Sequence, residues 1–340
     1  MNSNNPKKIH NSSVDNFVSK TINQKTLCSE SNLPFYRKLG RTDLTVSSLG
    51  YGAGGVSSED YLYAFERGIN YFFYSSDFHH YMYSPMVGAL RKLCGRSSSV
   101  REQVILATVT YMVKTPDTIF ASLFEQFKEL GIDYIDVFFW GWIDNDNADN
   151  FRKCVGLSNA LRGPGSLCQQ TIEKMFGISE RMKKMGIVRY VGASFHSHDL
   201  ARKCLNSPLL DVVMVRHNIA HRSAQDKVFT HLDHRDKQRP GIVTFKSAGM
   251  NTPLFIPPVD LPKNVWQPSV PDLYRYSLSQ NCVDVALAGW TRREHIDMAI
   301  KGIKKGKLTS EEIEYLNLYG DLYRNRIKLK DIPPARFIYR

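Results

Sequence analysis

The chain has 340 residues, 42% of them hydrophobic and 23% charged, with a formal net charge of +12. That length and balance suit one large core or two modest ones, and no apolar run reaches the roughly 18–20 residues a membrane-spanning helix needs. Six scattered cysteines (Cys28, Cys94, Cys154, Cys168, Cys204 and Cys282) contain no C-x-x-C pair, which argues against a zinc knuckle or disulfide frame and for free thiols in a reducing, cytoplasmic setting.

The basic excess sits in short patches: Lys301–Lys307, Arg181–Lys184 and the C-terminal segment. No aromatic-plus-basic motif or reader helix accompanies them. They read as a solvated surface that favours anionic ligands, with no nucleic acid or membrane as partner. Residues 1–34, rich in Asn, Ser and Lys, lack the apolar core of a signal peptide and read as a disordered lead-in.

From Phe35 the chain reads as structured. Two short segments flank the turn-like Gly40-Arg41-Thr42-Asp43, followed by an apolar run, Leu44–Leu49, and a glycine-rich exit at Gly50, Gly52, Gly54 and Gly55. Helix-like and strand-like segments then alternate. Helix Glu59–Arg67 leads to strand Asn70–Ser75, helix Pro85–Leu93 to strand Val104–Thr108, and helix Pro116–Leu130 to strand Tyr134–Trp140. A polar insert at about 143–169 exceeds the usual connector and reads as a long loop. Helix Gln170–Met185 and strand Val188–Ser194 follow, then helix Asp199–Leu205 and strand Val212–Arg216. Helix Ala224–Leu232 precedes strand Gly241–Phe245, and a Pro-rich crossover, Pro253–Pro271, precedes helix Leu273–Ser279. Strand Val283–Ala288, helix Glu294–Ile303 and a last helix capped at Thr309-Ser310-Glu311-Glu312 complete the series. Eight strand–helix units with continuous apolar strands argue for an α/β fold of closed (β/α)8 barrel type, a TIM barrel, spanning residues 35–340. The alternative, an open doubly wound sheet, lacks a G-x-G-x-x-G opening a helix.

Five segments carry a family resemblance: LPFYRKLGRTDLTVSSLGYG, GIN before the second strand, LGIDYIDVFF before and in the fourth, MKKMGIVRYVGAS at the fifth and DVALAGWTRREHIDMAI at the eighth. In this order and spacing, over about residues 35–315, the chain resembles the aldo-keto reductases. The resemblance implies NADP(H) bound across the C-terminal ends of the strands and hydride transfer to a carbonyl. A Tyr would donate the proton, assisted by Lys, Asp and His. Negative charge grows on the carbonyl oxygen as hydride adds to carbon, so an acid must stand beside that oxygen.

In the family register those four positions hold Phe73 (Asp), Phe78 (Tyr), Val109 (Lys) and Gly141 (His). The nearest lysine to Val109, Lys114, lies five positions on. At the nicotinamide end Ser194 matches, whereas the Asn and Gln positions hold Phe195 and Met214. Phe245 stands where the family stacks an aromatic on the nicotinamide. The resemblance also assigns Gly289, Thr291, Arg292, Arg293 and Glu294 to the grip on the adenosine 2′-phosphate, where a hydroxyl, a guanidinium and a helix N-terminus suit an anion.

Other titratable groups follow the strands: Asp77, His79 and His80 after the second, His196 and His198 after the fifth, His217 and His221 after the sixth. Imidazole and carboxylate suit proton transfer or metal binding; no metal ligand set is assigned. Tyr74 or His79 is the expected replacement acid, with Asp77 tuning it. Of Trp140 and Trp142, one is expected inside the barrel and the other as a pocket wall, Gly141 leaving room between them. Three functions stay open: a divergent NADP(H)-dependent reductase of a small carbonyl substrate; a catalytically inactive barrel binding a nucleotide or a protein partner; and a lyase, isomerase or hydrolase in the same cleft.

Overall fold

Eight short apolar strands close on one another in a computed structural model that describes residues 33–77, 80–111, 116–143, 177–249 and 253–340. The expected lead-in up to residue 32, Phe78, His79, loop residues 144–169 and the first turns of the expected Gln170–Met185 helix lie outside the described residues. The barrel strands are β3 (Leu49–Tyr51), β4 (Tyr71–Ser75), β5 (Ile105–Thr110), β6 (Ile135–Ile143), β7 (Val188–Phe195), β8 (Val212–Arg216), β9 (Gly241–Phe245) and β10 (Val285–Ala288). All neighbours are parallel, and β10 pairs back to β3 to close the ring. The expected (β/α)8 barrel is therefore the observed fold.

Helices α1 (Ser58–Glu66), α2 (Val87–Cys94), α3 (Pro116–Leu130), α4 (residues 177–184), α5 (His198–Cys204), α6 (Val270–Leu278) and α7 (Arg293–Ile303) form the shell, and α8 (Ser310–Tyr323) follows. Capping boxes start α1 at Ser57/Asp60, α6 at Ser269/Asp272 and α8 at Thr309/Glu312, each satisfying two of the orphan N–H groups of a helix start. The expected helix Ala224–Leu232 is instead a helical turn, Ala224–Lys227, and a 3-10 turn, Phe229–His231. Val228, at φ −124° and ψ −57°, leaves helical geometry between them. Among the described residues no helix is long and apolar enough to cross a membrane.

The run Leu44–Leu49 is split rather than continuous. Thr45–Ser47 forms β2, which pairs antiparallel with β1 (Tyr36–Lys38), and Leu49 opens the barrel. The hairpin turn plugs the N-terminal end of the barrel. Gly40 has φ +50°, and a Cβ there would lie 2.2 Å from the Gly241 nitrogen, so only glycine lets the turn press against the start of β9.

At that same end the sequence repeats a small motif. Ile135-Asp136-Val137, Leu210-Asp211-Val212 and Val283-Asp284-Val285 put a carboxylate at the start of the fourth, sixth and eighth barrel strands. Each accepts the backbone N–H of the strand before it: Asp136 from Leu106 at 2.9 Å, Asp211 from Val191 at 2.9 Å, Asp284 from Ile242 at 2.8 Å. Each also meets cations. Arg101 and Arg189 lie 2.9 and 2.8 Å from Asp136, Lys183 lies 2.5 Å from Asp211, and Arg239 lies 2.6 Å from Asp284. Buried carboxylates are tolerable only with such charge-assisted partners.

Removing one member of a buried pair strands the other, typically at a cost of about 3–5 kcal/mol. Asp136→Ala is therefore expected to lower the unfolding free energy by about that much in urea denaturation. Asp133→Ala, which removes an exposed partner of Arg96, should change it by less than about 1 kcal/mol. Equal effects would contradict this account of the strand starts.

Candidate active site at the C-terminal ends of the strands

Strand alternation sets which side chains reach the barrel axis. Phe73 on β4 faces Phe139 on β6, their ring centroids 5.7 Å apart, and Gly192 on β7 makes room for the Phe139 ring. Trp140 points the other way: its indole N–H donates to Ser179 Oγ on α4 at 2.7 Å. The expectation that one tryptophan fills the barrel is thus corrected, because the barrel interior is already taken by Phe139 and Trp140 belongs to the shell.

Asp77 is a clamp between two strand ends. One carboxylate oxygen accepts from Thr110 Oγ1 at 2.9 Å and from the Tyr111 N–H at 2.7 Å, and the other accepts from Ser75 Oγ at 3.0 Å. This fixes Tyr111, the residue directly after β5, over the rim of β6. A Cβ on Gly141 would lie 2.5 Å from the Tyr111 ring, so Gly141 is small because a neighbouring tyrosine fills its place. The Tyr111 ring leans on Trp142 at 5.1 Å, and its hydroxyl shares a hydrogen bond with that of Tyr83. Burial holds the Tyr111 phenol well above its ordinary pKa and pushes Tyr83 up to about 12. Both phenols stay protonated at neutral pH, and a pair sharing one proton leaves the other free to donate.

Beyond Gly141 the β6 ladder is bulged. Trp142 sits at φ +53°, and its N–H donates to Ser194 Oγ at 3.1 Å. The Ser194 hydroxyl still carries its own proton. Phe245 ends β9 half-buried, with the His196 ring 5.4 Å away and the Lys246 ammonium 5.7 Å from its centroid. Met214, two residues before Arg216, is buried in β8.

At the far side of the rim Gly289 packs on Ala53, and the Trp290 carbonyl accepts from the Tyr51 hydroxyl at 2.8 Å. Thr291, Arg292, Arg293 and Glu294 are all exposed at the start of α7. Arg293 turns to α1, 3.3 Å from Asp60 and over the Tyr63 ring. Arg292 caps the helix through its backbone and has no ion pair among the described residues. The Glu294 carboxylate complements the positive end of the helix and opposes a bound anion.

The remaining expected site residues are not gathered here. Tyr74 points outward, donating to Glu129 on α3 at 2.6 Å, with its pKa raised chiefly by burial. His80 lies 3.4 Å from the same carboxylate. His198 is held in the shell between Ser223 Oγ and the Arg216 carbonyl. His217 is fully buried and stacks on Tyr276 at 5.4 Å. His221 bonds within its own turn to Asn218. Among the described residues no three His, Cys, Asp or Glu side chains converge as a metal site. Sequence reasoning passed over Tyr111, Tyr83, Arg216 and Lys246. Two signals pointed to them: Tyr111 and Lys246 each follow directly on a strand, and Gly141 marks a vacancy beside the first.

Burial lowers the pKa of His196 to about 4, of His217 to about 3 and of His221 to about 4, from an ordinary 6.5. Between those values and 6.5 the unfolded chain binds more protons, so stability is complete above about pH 6.5 and is lost as pH falls towards 4 and then 3. His217→Gln removes one such group, and its urea midpoint should decline less steeply from pH 6.5 to pH 4 than that of the parent. Parallel declines would contradict the burial of a neutral His217.

The sequence model of the aldo/keto reductase family matches residues 56–250, more than half of the chain. Among solved structures, the holo form of the aldo-keto reductase AKR11C1 from Bacillus halodurans superposes with a TM-score of 0.61 at 18% identity, over 84% of this chain and 95% of that one. A putative aldo-keto reductase of Pseudomonas aeruginosa gives 0.57 at 16% identity, over 81% and 97%. The thermostable aldo-keto reductase Tm1743, bound to the inhibitor epalrestat, gives 0.58 at 18% identity, over 84% and 100%. No curated protein sequence matches significantly. Barrel and sequence model agree: the chain belongs to the aldo/keto reductase family.

Proposed function

We propose that this barrel is an NADP(H)-dependent oxidoreductase acting on a small carbonyl compound, with the proton supplied by the Tyr83–Tyr111 pair rather than by Tyr74. The observation that carries the reading is that Ser194, Phe245 and the Thr291–Glu294 turn all open on the strand C-terminal rim of a family barrel, in the family's order. The groups fit a dinucleotide. Phe245 offers an aromatic face, Ser194 keeps a hydroxyl proton for a carboxamide, and Arg292 stands exposed beside a helix N-terminus suited to phosphate. Bound NADPH would supply the hydride.

The chain's own part is positioning and proton donation. Asp77 fixes Tyr111 through its backbone N–H, and Gly141 admits the ring to the rim. The Tyr83 and Tyr111 hydroxyls are hydrogen-bonded to each other. A buried phenol pair stays neutral and donates into the charge developing on a carbonyl oxygen. Buried, apolar Phe73 and Val109 favour a second reading, a barrel that binds the dinucleotide without turning it over.

Titration with NADPH, followed by fluorescence, should give micromolar affinity that weakens about tenfold in Arg292→Ala, the loss of one charge-assisted contact. Tyr111→Phe should keep that affinity and lower turnover of 4-nitrobenzaldehyde by about 100-fold or more. No binding up to about 1 mM, a free energy of only about −4 kcal/mol, would end the dinucleotide reading. Binding without turnover in the parent protein would favour the non-catalytic one, and unimpaired Tyr111→Phe would remove the phenol pair from the mechanism.

A further inference from the structure

His198 and Ser223 make a contact that hydride transfer does not use. His198 opens α5, whose start is capped by the Ser197 hydroxyl, and Ser223 lies in the turn after β8. Ser223 Oγ meets His198 Nδ1 at 2.5 Å, and the other ring nitrogen, Nε2, lies 3.0 Å from the Arg216 carbonyl. Burial holds the His198 pKa below the ordinary 6.5; the Arg216 and Lys227 charges act in the same direction, and the Arg216 carbonyl and the Asp199 carboxylate act against them. The ring is therefore neutral at pH 7. A carbonyl oxygen only accepts, so Nε2 carries the one ring proton. Nδ1 then holds the lone pair, and the Ser223 hydroxyl must donate to it. The main chain of β8 thus selects the tautomer, the task a carboxylate has in a serine–histidine triad.

The base is sheltered and the hydroxyl-bearing residue is not: His198 is buried, whereas Ser223 is exposed. Ser223 stands at the cap position of the helical turn Ala224–Lys227, yet its side chain makes no capping bond. Its hydroxyl is given to the imidazole instead. An ion pair between Lys227 of that turn and Asp199 of α5, at 2.6 Å, ties together the two elements that carry the pair. A serine hydroxyl is a weak nucleophile until an adjacent base takes its proton as the new bond forms. The structural signature of such activation is a nucleophile, a base and an orienting third group in hydrogen-bonded sequence.

We propose that Ser223 is a nucleophile that takes an acyl group from an activated ester, with His198 as its general base. Ser223 Oγ attacks the ester carbonyl carbon while its proton passes to His198 Nδ1. The bond from that carbon to the aryloxy leaving group breaks, the leaving group departs with the electron pair, and the imidazolium returns its proton to the leaving group or to water. Nothing is oxidised or reduced, and the product is an O-acyl serine. The activity is independent of the reductase reading, because neither residue is among those given to the dinucleotide or the proton donor.

The test is incubation of the full chain with 4-nitrophenyl acetate, followed by peptide mass spectrometry. Exposed Lys237 gives the reference rate of unassisted acetylation in every variant. Ser223 should become acetylated in the parent protein, and His198→Gln should slow that step by about 100-fold while Lys237 reacts as before. The rate at Ser223 should be flat from about pH 6.5 to about pH 8 and fall only below that range, because the base is already unprotonated there. Ser223 left unmodified while Lys237 is acetylated would overturn the proposal. Equal rates at Ser223 in the parent and His198→Gln would do so too, as would a rate that climbs with hydroxide across that pH range. The pH profile is read on the parent protein and stands whether or not the variant folds.

Discussion

Three buried carboxylates at the starts of alternate strands hold this barrel in register. Asp136, Asp211 and Asp284 each take a backbone N–H near the start of the preceding strand and pair with a basic side chain. A parallel strand that starts in the wrong register would lose that bond and leave a charge buried without a partner. Side-chain direction alternates along a strand, so a one-residue slip would also turn every inward residue outward. The rim at the other end inherits its geometry from these three bonds, because strand lengths and register are set below it.

The rim spends its polar groups differently. Asp77 looks from its position like a catalytic carboxylate, yet it accepts from Ser75, Thr110 and the Tyr111 N–H and so acts as a bracket. Two positive-φ residues stand at the rim, Trp142 in the bulged end of β6 and Lys246 directly after β9. One aims its N–H at Ser194 and the other aims an ammonium across Phe245. Both places depart from ideal strand geometry, and both adjoin the residues given to the cofactor. The barrel is regular where it must be stable and irregular where it meets a ligand.

Much of the fold was legible because its signals are local and repeated. Continuous apolar strands such as IDVFF and DVVMV, each preceded by an amphipathic segment, leave few arrangements besides a closed parallel barrel. The strand ends drifted by two or three residues where β5 runs on to Thr110 and β6 runs on through a bulge to Ile143. The helix read as Ala224–Leu232 failed at Val228, where nothing in composition marks the break. The site was less legible because its contacts are made between strands. Tyr74 has the right chemistry and lies one residue from the family's position, but alternation turns it towards Glu129. His217 follows its strand as closely as His196 does, yet it is buried against Tyr276 while His196 packs beside Phe245. Tyr111 was hidden because its meaning lies in Gly141, thirty positions away in sequence and on the next strand.

The most direct measurement is an experimental structure of the chain with NADP+ bound. The account predicts a nicotinamide on the face of Phe245 with its carboxamide at Ser194, the 2′-phosphate at Thr291–Arg292, and the Tyr111 hydroxyl turned towards the position of a carbonyl oxygen. A dinucleotide found elsewhere, or a Phe245 face kept by His196 with no dinucleotide at saturating concentration, would contradict it.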